Sequence, residues 1–157
     1  MTPAINSAKK NKINYTIHED PHDSTSESYG LEAAEKMGVD ENRVFNTLVV
    51  MLDNKQLAVA VLPVSCLLSM KLIAKAAAAK KAQMADPIMV QRSTGYILGG
   101  VSPLAQKKRL KTIIDSSAQQ FKTIFVSAGR RGLEIELSPD DLKRLVNGSF
   151  AEIRQLA

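Results

Sequence analysis

Apolar and polar positions along the chain predict short strands interspersed with short helices. Two apolar, β-branched runs, Arg43 to Leu52 and Leu57 to Val64, lie on either side of Asp53-Asn54 and predict a β-hairpin. Period-two alternation predicts strands over Asn14 to Glu19 and Leu133 to Leu137. Two more apolar runs predict strands over Leu110 to Ile114 and Thr123 to Val126.

Helix starts are marked by capping residues followed by proline. Thr2-Pro3, Asp86-Pro87 and Ser138-Pro139 each combine an N-cap side chain with a proline at the first helical position. Helix-forming residues predict further helices over Leu31 to Met37 and Lys71 to Lys81. Since no linker or repeat divides the chain, we predict one α/β (α+β) domain over residues 1–157, with a mixed sheet and helices packed outside it.

A glycine-rich stretch within Arg92 to Arg109 predicts a loop of fixed shape. Gly99 and Gly100 allow a ligand to approach the main chain closely, and Pro103 restricts the exit from the turn. A second loop, predicted over Ser127 to Gly132, again combines glycine with positive charge. We therefore predict a binding pocket between the two loops on a basic surface. The alternative is a tight turn followed by a solvated basic strand.

The composition is that of an ordinary globular protein, with 45% apolar and 24% charged residues. The single Cys66 cannot form an internal disulfide, which fits a reducing compartment. No apolar run is long enough to cross a bilayer, and the N-terminus carries no apolar signal segment. We expect a cytoplasmic protein without a membrane partner.

The net charge of +5 is distributed unevenly. Between Ile17 and Glu41, eight acidic residues accompany one lysine, whereas nine basic residues accompany one aspartate between Lys71 and Lys111. Such asymmetry favours docking of a polyanion, nucleic acid above all, on one face. An oppositely charged protein surface, or solubility alone, is the alternative. The basic residues expected to contact nucleic acid are Lys80, Lys81, Arg92, Lys107, Lys108, Arg109, Arg130 and Arg131.

The sequence carries few groups with obvious catalytic chemistry. It contains no zinc-type Cys/His set, no P-loop and no G-x-S-x-G elbow. His18 and His22 lie near aspartates without the ligand spacing of a metal site, so we expect neither a metal nor a cofactor. Ser102 and Ser127 lie in the glycine loops without an obvious histidine partner. Asn46-Thr47 interrupts an apolar strand, either as a satisfied core pair or as side chains aimed into a site.

Three segments of the chain follow the pattern of one family: MTPAI, MADPIMVQRSTGYILGGVSPLAQKKRLKTIID and TIFVSAGRRGLEIEL. They closely resemble the YbaK/EbsC family of bacterial deacylases, which hydrolyse Cys-tRNA(Pro). The same fold occurs as the editing domain of many bacterial prolyl-tRNA synthetases. The resemblance implies a curved mixed sheet with a barrel-like core surrounded by helices. It also implies mischarged tRNA(Pro) as a partner, with prolyl-tRNA synthetase as a further candidate.

The resemblance also implies a mechanism in which the thiol of the substrate attacks its own ester carbonyl and expels the tRNA. The enzyme then needs no nucleophile and has only to hold the ester and stabilise the oxyanion. We expect the backbone N–H groups of Gly99 and Gly100 to stabilise that oxyanion. The substrate-binding residues expected from the family match and from the two loops are Tyr29, Thr47, Ser102, Pro103, Ser127, Gly129 and Glu134.

One position departs from the family. Its strand motif has an aromatic residue followed by Lys, Thr and Leu, whereas this chain reads Phe45-Asn46-Thr47-Leu48. Asn46 cannot neutralise a phosphate or an oxyanion, and losing such a contact lowers a rate by about 10²–10³. Three hypotheses follow: a working deacylase, a tRNA- or synthetase-binding module that has lost hydrolysis through Asn46, and a small-nucleotide-binding domain that uses the same loops.

Overall fold

Two β-sheets form the framework of the computed structural model, which describes residues 1–19 and 29–156. One sheet is antiparallel and has the order β1-β7-β6; the other has the order β4-β2-β3-β5-β8, with β5 parallel to both its neighbours. Val44 forms a parallel bridge to Phe125 and joins the two sheets. The strands in the described residues are β1 (Tyr15–Glu19), β2 (Phe45–Leu52), β3 (Gln56–Pro63), β4 (Ala82–Met84), β5 (Lys111–Asp115), β6 (Ile124–Arg130), β7 (Leu133–Leu137) and β8 (Ser149–Ala151).

The helices begin where capping side chains satisfy free backbone N–H groups. Thr2, Asp86 and Ser138 each accept a hydrogen bond from an N–H of the first helical turn, as the sequence predicts. Within the described ranges no helix combines the length and apolarity needed to cross a membrane. The α-helices there are α1 (Pro3–Lys10), α2 (Tyr29–Met37), α3 (Met70–Ala76), α4 (Pro87–Thr94) and α5 (Pro139–Val146).

The centre of the five-stranded sheet is buried on both faces. Along β3, Val59 and Val61 belong to a core shared with the three-stranded sheet, α1 and α5. Ala58, Ala60 and Leu62 alternate with them and pack into a second core that includes residues of α3. A strand that is covered on both faces is apolar at successive positions, because the side chains on both faces are buried. This explains why β3 is apolar along its length although its side chains alternate between the two cores.

The predicted mixed α/β fold is confirmed, because parallel and antiparallel pairings share one sheet and helices pack outside. The predicted core is barrel-like, but the strands of the described residues do not close into a complete barrel. In residues 1–19 and 29–156 the strands form two separate sheets that are joined by a bridge.

Two local predictions are wrong. The helix predicted over Lys71 to Lys81 ends at Ala76, because the carboxylate of Asp53 accepts the backbone N–H groups of Lys80 and Lys81 and directs the chain into β4. The loop predicted over Ser127 to Gly132 is largely strand, since β6 continues to Arg130 through a β-bulge. A long-range contact to Asp53 ends the helix early, and pairing with the adjacent strand β7 extends β6, so in both places pairing overrides local propensity.

Candidate functional site

A cavity of about 300 Å³ lies where the two sheets, α2 and the glycine-rich loop meet. It contains both polar and apolar side chains, as small-molecule sites do. Its lining residues are Ala33, Phe45, Asn46, Thr47, Leu48, Leu98, Gly99, Val101, Ser127, Arg130, Arg131, Gly132 and Glu134.

The strand pairing explains why three polar residues lie side by side at the cavity. The bridge between Val44 and Phe125 sets β2 beside β6, and two residues further along each chain come Asn46 and Ser127. Ser127 is in turn paired with Glu134 of β7. Because side chains two residues apart share a face of a strand, the three residues form one row at the cavity.

Glu134 and Thr47 place buried polar atoms at this cavity. Oε2 of Glu134 and Oγ1 of Thr47 find no hydrogen-bond partner among the described residues. Burial disfavours the charged form and raises the pKa of Glu134 to about 8, so the acid is mostly protonated at pH 7. The fold therefore supplies no partner for either atom among the described residues, and a ligand or a water molecule is needed to satisfy them.

The glycine-rich loop contributes one of its two predicted oxyanion donors to the cavity lining. Gly99 lines the cavity with φ +92°, a conformation that favours glycine. Gly100 does not line it, and its N–H donates to the carbonyl of Ile97 at 3.0 Å. A Cβ on Gly100 would lie 2.7 Å from Cα of Arg130. The expectation that Gly100 offers its N–H to a ligand is therefore wrong; this glycine lets the glycine-rich loop approach the end of β6.

The remaining loop residues predicted to bind substrate lie in the supporting structure. Ser102 is fully buried, and its Oγ accepts the N–H of Leu104 at 3.2 Å. A Cβ on Gly129 would lie 2.9 Å from Cε1 of Tyr96, so Gly129 serves the packing of that ring. Pro103 borders a second cavity of about 100 Å³. Ser102 and Pro103 of the glycine-rich loop and Gly129 of β6 thus do not line the larger cavity.

Two arginines of the cavity already have acidic partners. Arg130 pairs with Glu19 at 2.8 Å and Arg131 pairs with Glu32 at 3.0 Å. Tyr29 is the first residue of α2, the helix that also carries Glu32. The positive charge at this rim is thus compensated within the protein.

The other predicted basic contacts form separate exposed groups. Lys107 and Lys108 lie beside the end of α4, near Arg92, because their N–H groups donate to carbonyls of that helix. Lys108 also borders the second cavity together with Arg109. Lys80 and Lys81 lie at the opposite end of β2 from Asn46, about 20 Å away at the usual strand rise.

Sequence reasoning missed the apolar part of the lining. Ala33 of α2 and Leu98 and Val101 of the loop contribute to the cavity walls, and Leu98 is 69% exposed. Their signal is weak, because apolar side chains in helices and loops ordinarily indicate core packing. In the described part of the chain no group of three His, Cys, Asp or Glu side chains could hold a metal ion. His22 lies outside the described residues.

Comparisons with known proteins agree on one family. Residues 25–145 match the aminoacyl-tRNA editing domain. EbsC of Enterococcus faecalis, which carries the provisional name Cys-tRNA(Pro)/Cys-tRNA(Cys) deacylase, is 38% identical over 97% of this chain and 92% of its own length.

Two crystal structures share the fold. A hypothetical protein superposes with a TM-score of 0.87 at 21% identity, covering 98% of this chain and 100% of its own. A provisionally described trans-editing enzyme for prolyl-tRNA synthetase superposes with a TM-score of 0.83 at 17% identity, covering 99% of both chains. The family match over residues 25–145 and the 38% identical relative show that the chain belongs to the aminoacyl-tRNA editing domain family.

Proposed function

We propose that this chain is a trans-editing deacylase that hydrolyses mischarged Cys-tRNA(Pro). The observation that carries the proposal is the cavity, in which Asn46, Thr47, Ser127 and Glu134 come together beside Gly99. The chain belongs to a family that acts on aminoacyl-tRNA, and a relative of nearly equal length is named for a cysteinyl substrate. A volume of about 300 Å³ lies at the lower end for small-molecule sites and suits an aminoacyl ester.

The proposed reaction uses the thiol of the substrate. The thiol loses its proton, the sulfur attacks the ester carbonyl carbon, and the bond to the 3′ oxygen of the tRNA breaks. The tRNA leaves with a hydroxyl group, and water then opens the cyclic thiolactone to cysteine. The backbone N–H of Gly99 is the candidate donor to the developing oxyanion.

The environment of Ser127 supports a nucleophile that comes from the substrate. Its Oγ accepts the N–H of Gly129 at 3.2 Å, and no histidine or cysteine lines the cavity among the described residues. Cys66 lies outside the lining, with its sulfur 3.6 Å from Oγ of Ser65. Positioning and oxyanion stabilisation are the contributions that remain for the protein to make.

The tRNA body is proposed to dock on the exposed basic residues near the cavity. Arg92, Lys107 and Lys108 are exposed and close together, whereas the cavity arginines have acidic partners. Affinity for tRNA should then fall linearly with salt on a log–log plot. Docking beside prolyl-tRNA synthetase is part of the same proposal.

A second candidate function follows from Asn46, which lines the cavity as a neutral residue. The chain would then bind tRNA, or the synthetase, without hydrolysing the ester. Single-turnover deacylation of Cys-tRNA(Pro) by this chain and by Asn46→Lys separates the two functions. Comparable rates well above the buffer rate support the deacylase; hydrolysis by the Lys variant alone supports the binding module. Ala-tRNA(Pro), which lacks the thiol, is the matched control substrate, and its equal hydrolysis would contradict the thiol mechanism.

A further inference from the structure

We propose that Glu134 and Thr47 form a subsite for the α-ammonium group of the aminoacyl ester, an inference that rests on the proposed function. The cavity would therefore select aminoacyl esters over esters whose amino group is missing or blocked, such as those of peptidyl-tRNA. The inference assigns a ligand to two side chains whose polar atoms the fold leaves without partners.

The geometry of the two side chains carries the first step. Glu134 and Thr47 come from different sheets, and both line the same cavity. Oε2 of the carboxyl group and Oγ1 of the hydroxyl group are both buried, and neither has a hydrogen-bond partner within residues 1–19 and 29–156. A carboxyl and a hydroxyl oxygen in the lining of one cavity match an ammonium group, which offers three donors and accepts none.

The charge of the cavity carries the second step. Its arginines, Arg130 and Arg131, are paired with Glu19 and Glu32. The other lining side chains apart from Glu134 are neutral. A carboxylate buried in this cavity is stabilised best by a cation that the ligand brings, because a buried charge requires a close partner.

The position of the subsite agrees with the chemistry of the ester. The α-nitrogen of an aminoacyl ester is two bonds from the carbonyl carbon. A group that holds this nitrogen therefore also fixes the carbonyl relative to the wall that contains Gly99. Glu134 is thereby a positioning residue for the reacting carbonyl as well as a determinant of specificity.

Proton linkage follows from the same arrangement. In the free protein the acid is mostly protonated at pH 7, and an adjacent ammonium favours the carboxylate. Binding of an aminoacyl group in its ammonium form is therefore expected to release protons at pH 7. A ligand without the amino group releases none.

The test is calorimetric titration of the full chain at pH 7 with two non-hydrolysable ligands. The first is adenosine carrying cysteine through a 3′-amide bond, and the second carries 3-mercaptopropionyl, which keeps the thiol and lacks the amine. We expect the second ligand to bind about 10- to 100-fold more weakly. The titrations are made in PIPES and in imidazole, which differ in ionisation enthalpy, so that a difference in the measured binding enthalpy reports proton release. We expect this difference for the cysteinyl ligand alone. Equal affinities, binding without proton release, or no binding of either ligand would overturn the subsite.

Two variants make the test specific. Glu134→Gln should abolish the proton release and lower cysteinyl affinity to that of the mercaptopropionyl ligand. Thr47→Val removes the hydroxyl and should lower the affinity for the cysteinyl ligand severalfold, while the proton release stays unchanged. Since the ligands cannot be cleaved, a failure of the subsite is separate from a failure of hydrolysis. A chain that binds both ligands equally and still hydrolyses Cys-tRNA(Pro) would refute the subsite alone.

Discussion

Two buried carboxyl groups in this protein have opposite surroundings. Asp115, at the end of β5, is fully buried and accepts the N–H groups of Ile153 at 3.0 Å and Ser117 at 3.1 Å. Nε of Arg154 lies 3.1 Å from the same carboxylate. Glu134 has neither a cationic partner at its buried oxygen nor a hydrogen bond there among the described residues.

The difference separates an acid that supports the fold from the acid that we propose to bind the substrate. Asp115 joins the last residues of the chain to the five-stranded sheet, and its partners make its burial compatible with stability. Glu134 lowers stability at neutral pH, because the folded state must keep the acid protonated while the unfolded state ionises it. Such a residue is tolerated where activity requires it.

Removal of the structural acid should have the largest effect on stability. Asp115→Ala leaves two backbone N–H groups without an acceptor and the guanidinium of Arg154 without its partner. We expect a loss of about 3–5 kcal/mol in the free energy of unfolding, measured with urea. The control is Asp141→Ala, whose exposed pair with Arg144 contributes about 0–1 kcal/mol. Similar losses in the two variants would remove the basis of the comparison.

Glu134→Gln should stabilise the protein in a pH-dependent manner. The folded pKa of about 8 lies above the ordinary value of 4.5, so the unmodified chain loses stability as pH rises from about 4.5 to 8. Gln does not ionise, and the variant should be more stable by about 2–4 kcal/mol at pH 8 and nearly equal at pH 4. Unfolding curves at the two pH values test this. Parallel stability profiles would show that Glu134 is not a strained acid.

The sequence does not distinguish the two acids by local pattern. Asp115 is satisfied by Ile153, 38 residues away, and no local pattern reports such a contact. The family resemblance indicates position 134 as a pocket residue, whereas its alternation with apolar neighbours predicts only a half-buried strand. Long-range partners therefore decide which acid supports the fold and which faces the cavity.

The glycines show the same limit on prediction. The hairpin of β2 and β3 and the capped helices follow from local composition, and the structure confirms them. Gly99 and Gly100 are equivalent in sequence, but the first faces the cavity and the second contacts the backbone at Arg130. Close approach of two chain segments is non-local, so glycine content alone predicts a loop and not which residue binds.

Gly100→Ala should move the glycine-rich loop away from the end of β6. A Cβ would lie 2.7 Å from Cα of Arg130, a backbone atom, so the loop and the strand end must move apart. We expect a loss of about 1–3 kcal/mol in stability and lower deacylation. Gly38→Ala is the control, because at φ +67° with no atom within 4 Å it costs about 1–2 kcal/mol of backbone strain alone. Equal deacylation in the two variants would contradict the role of the loop contact.

Thr47→Val should have the smallest effect on stability. The hydroxyl has no partner within the described residues, so its removal should change the free energy of unfolding by less than about 1 kcal/mol. Thr94→Val provides the contrast, since that hydroxyl donates to Val90 at 2.7 Å and accepts from Tyr96 at 3.1 Å. We expect the second variant to lose about 1–3 kcal/mol. Chemical denaturation of both variants checks the difference.

The most direct measurement is a carbon-13 NMR titration of the side-chain carboxyl group of Glu134, made with and without the 3′-amide-linked cysteinyl adenosine. We predict a midpoint near pH 8 in the free protein, because burial raises the pKa of this acid, and a lower midpoint when the ammonium group occupies the cavity. A midpoint near 4.5 in the free protein, or one that the ligand does not change, would contradict the assignment of Glu134 as the acid that receives the substrate.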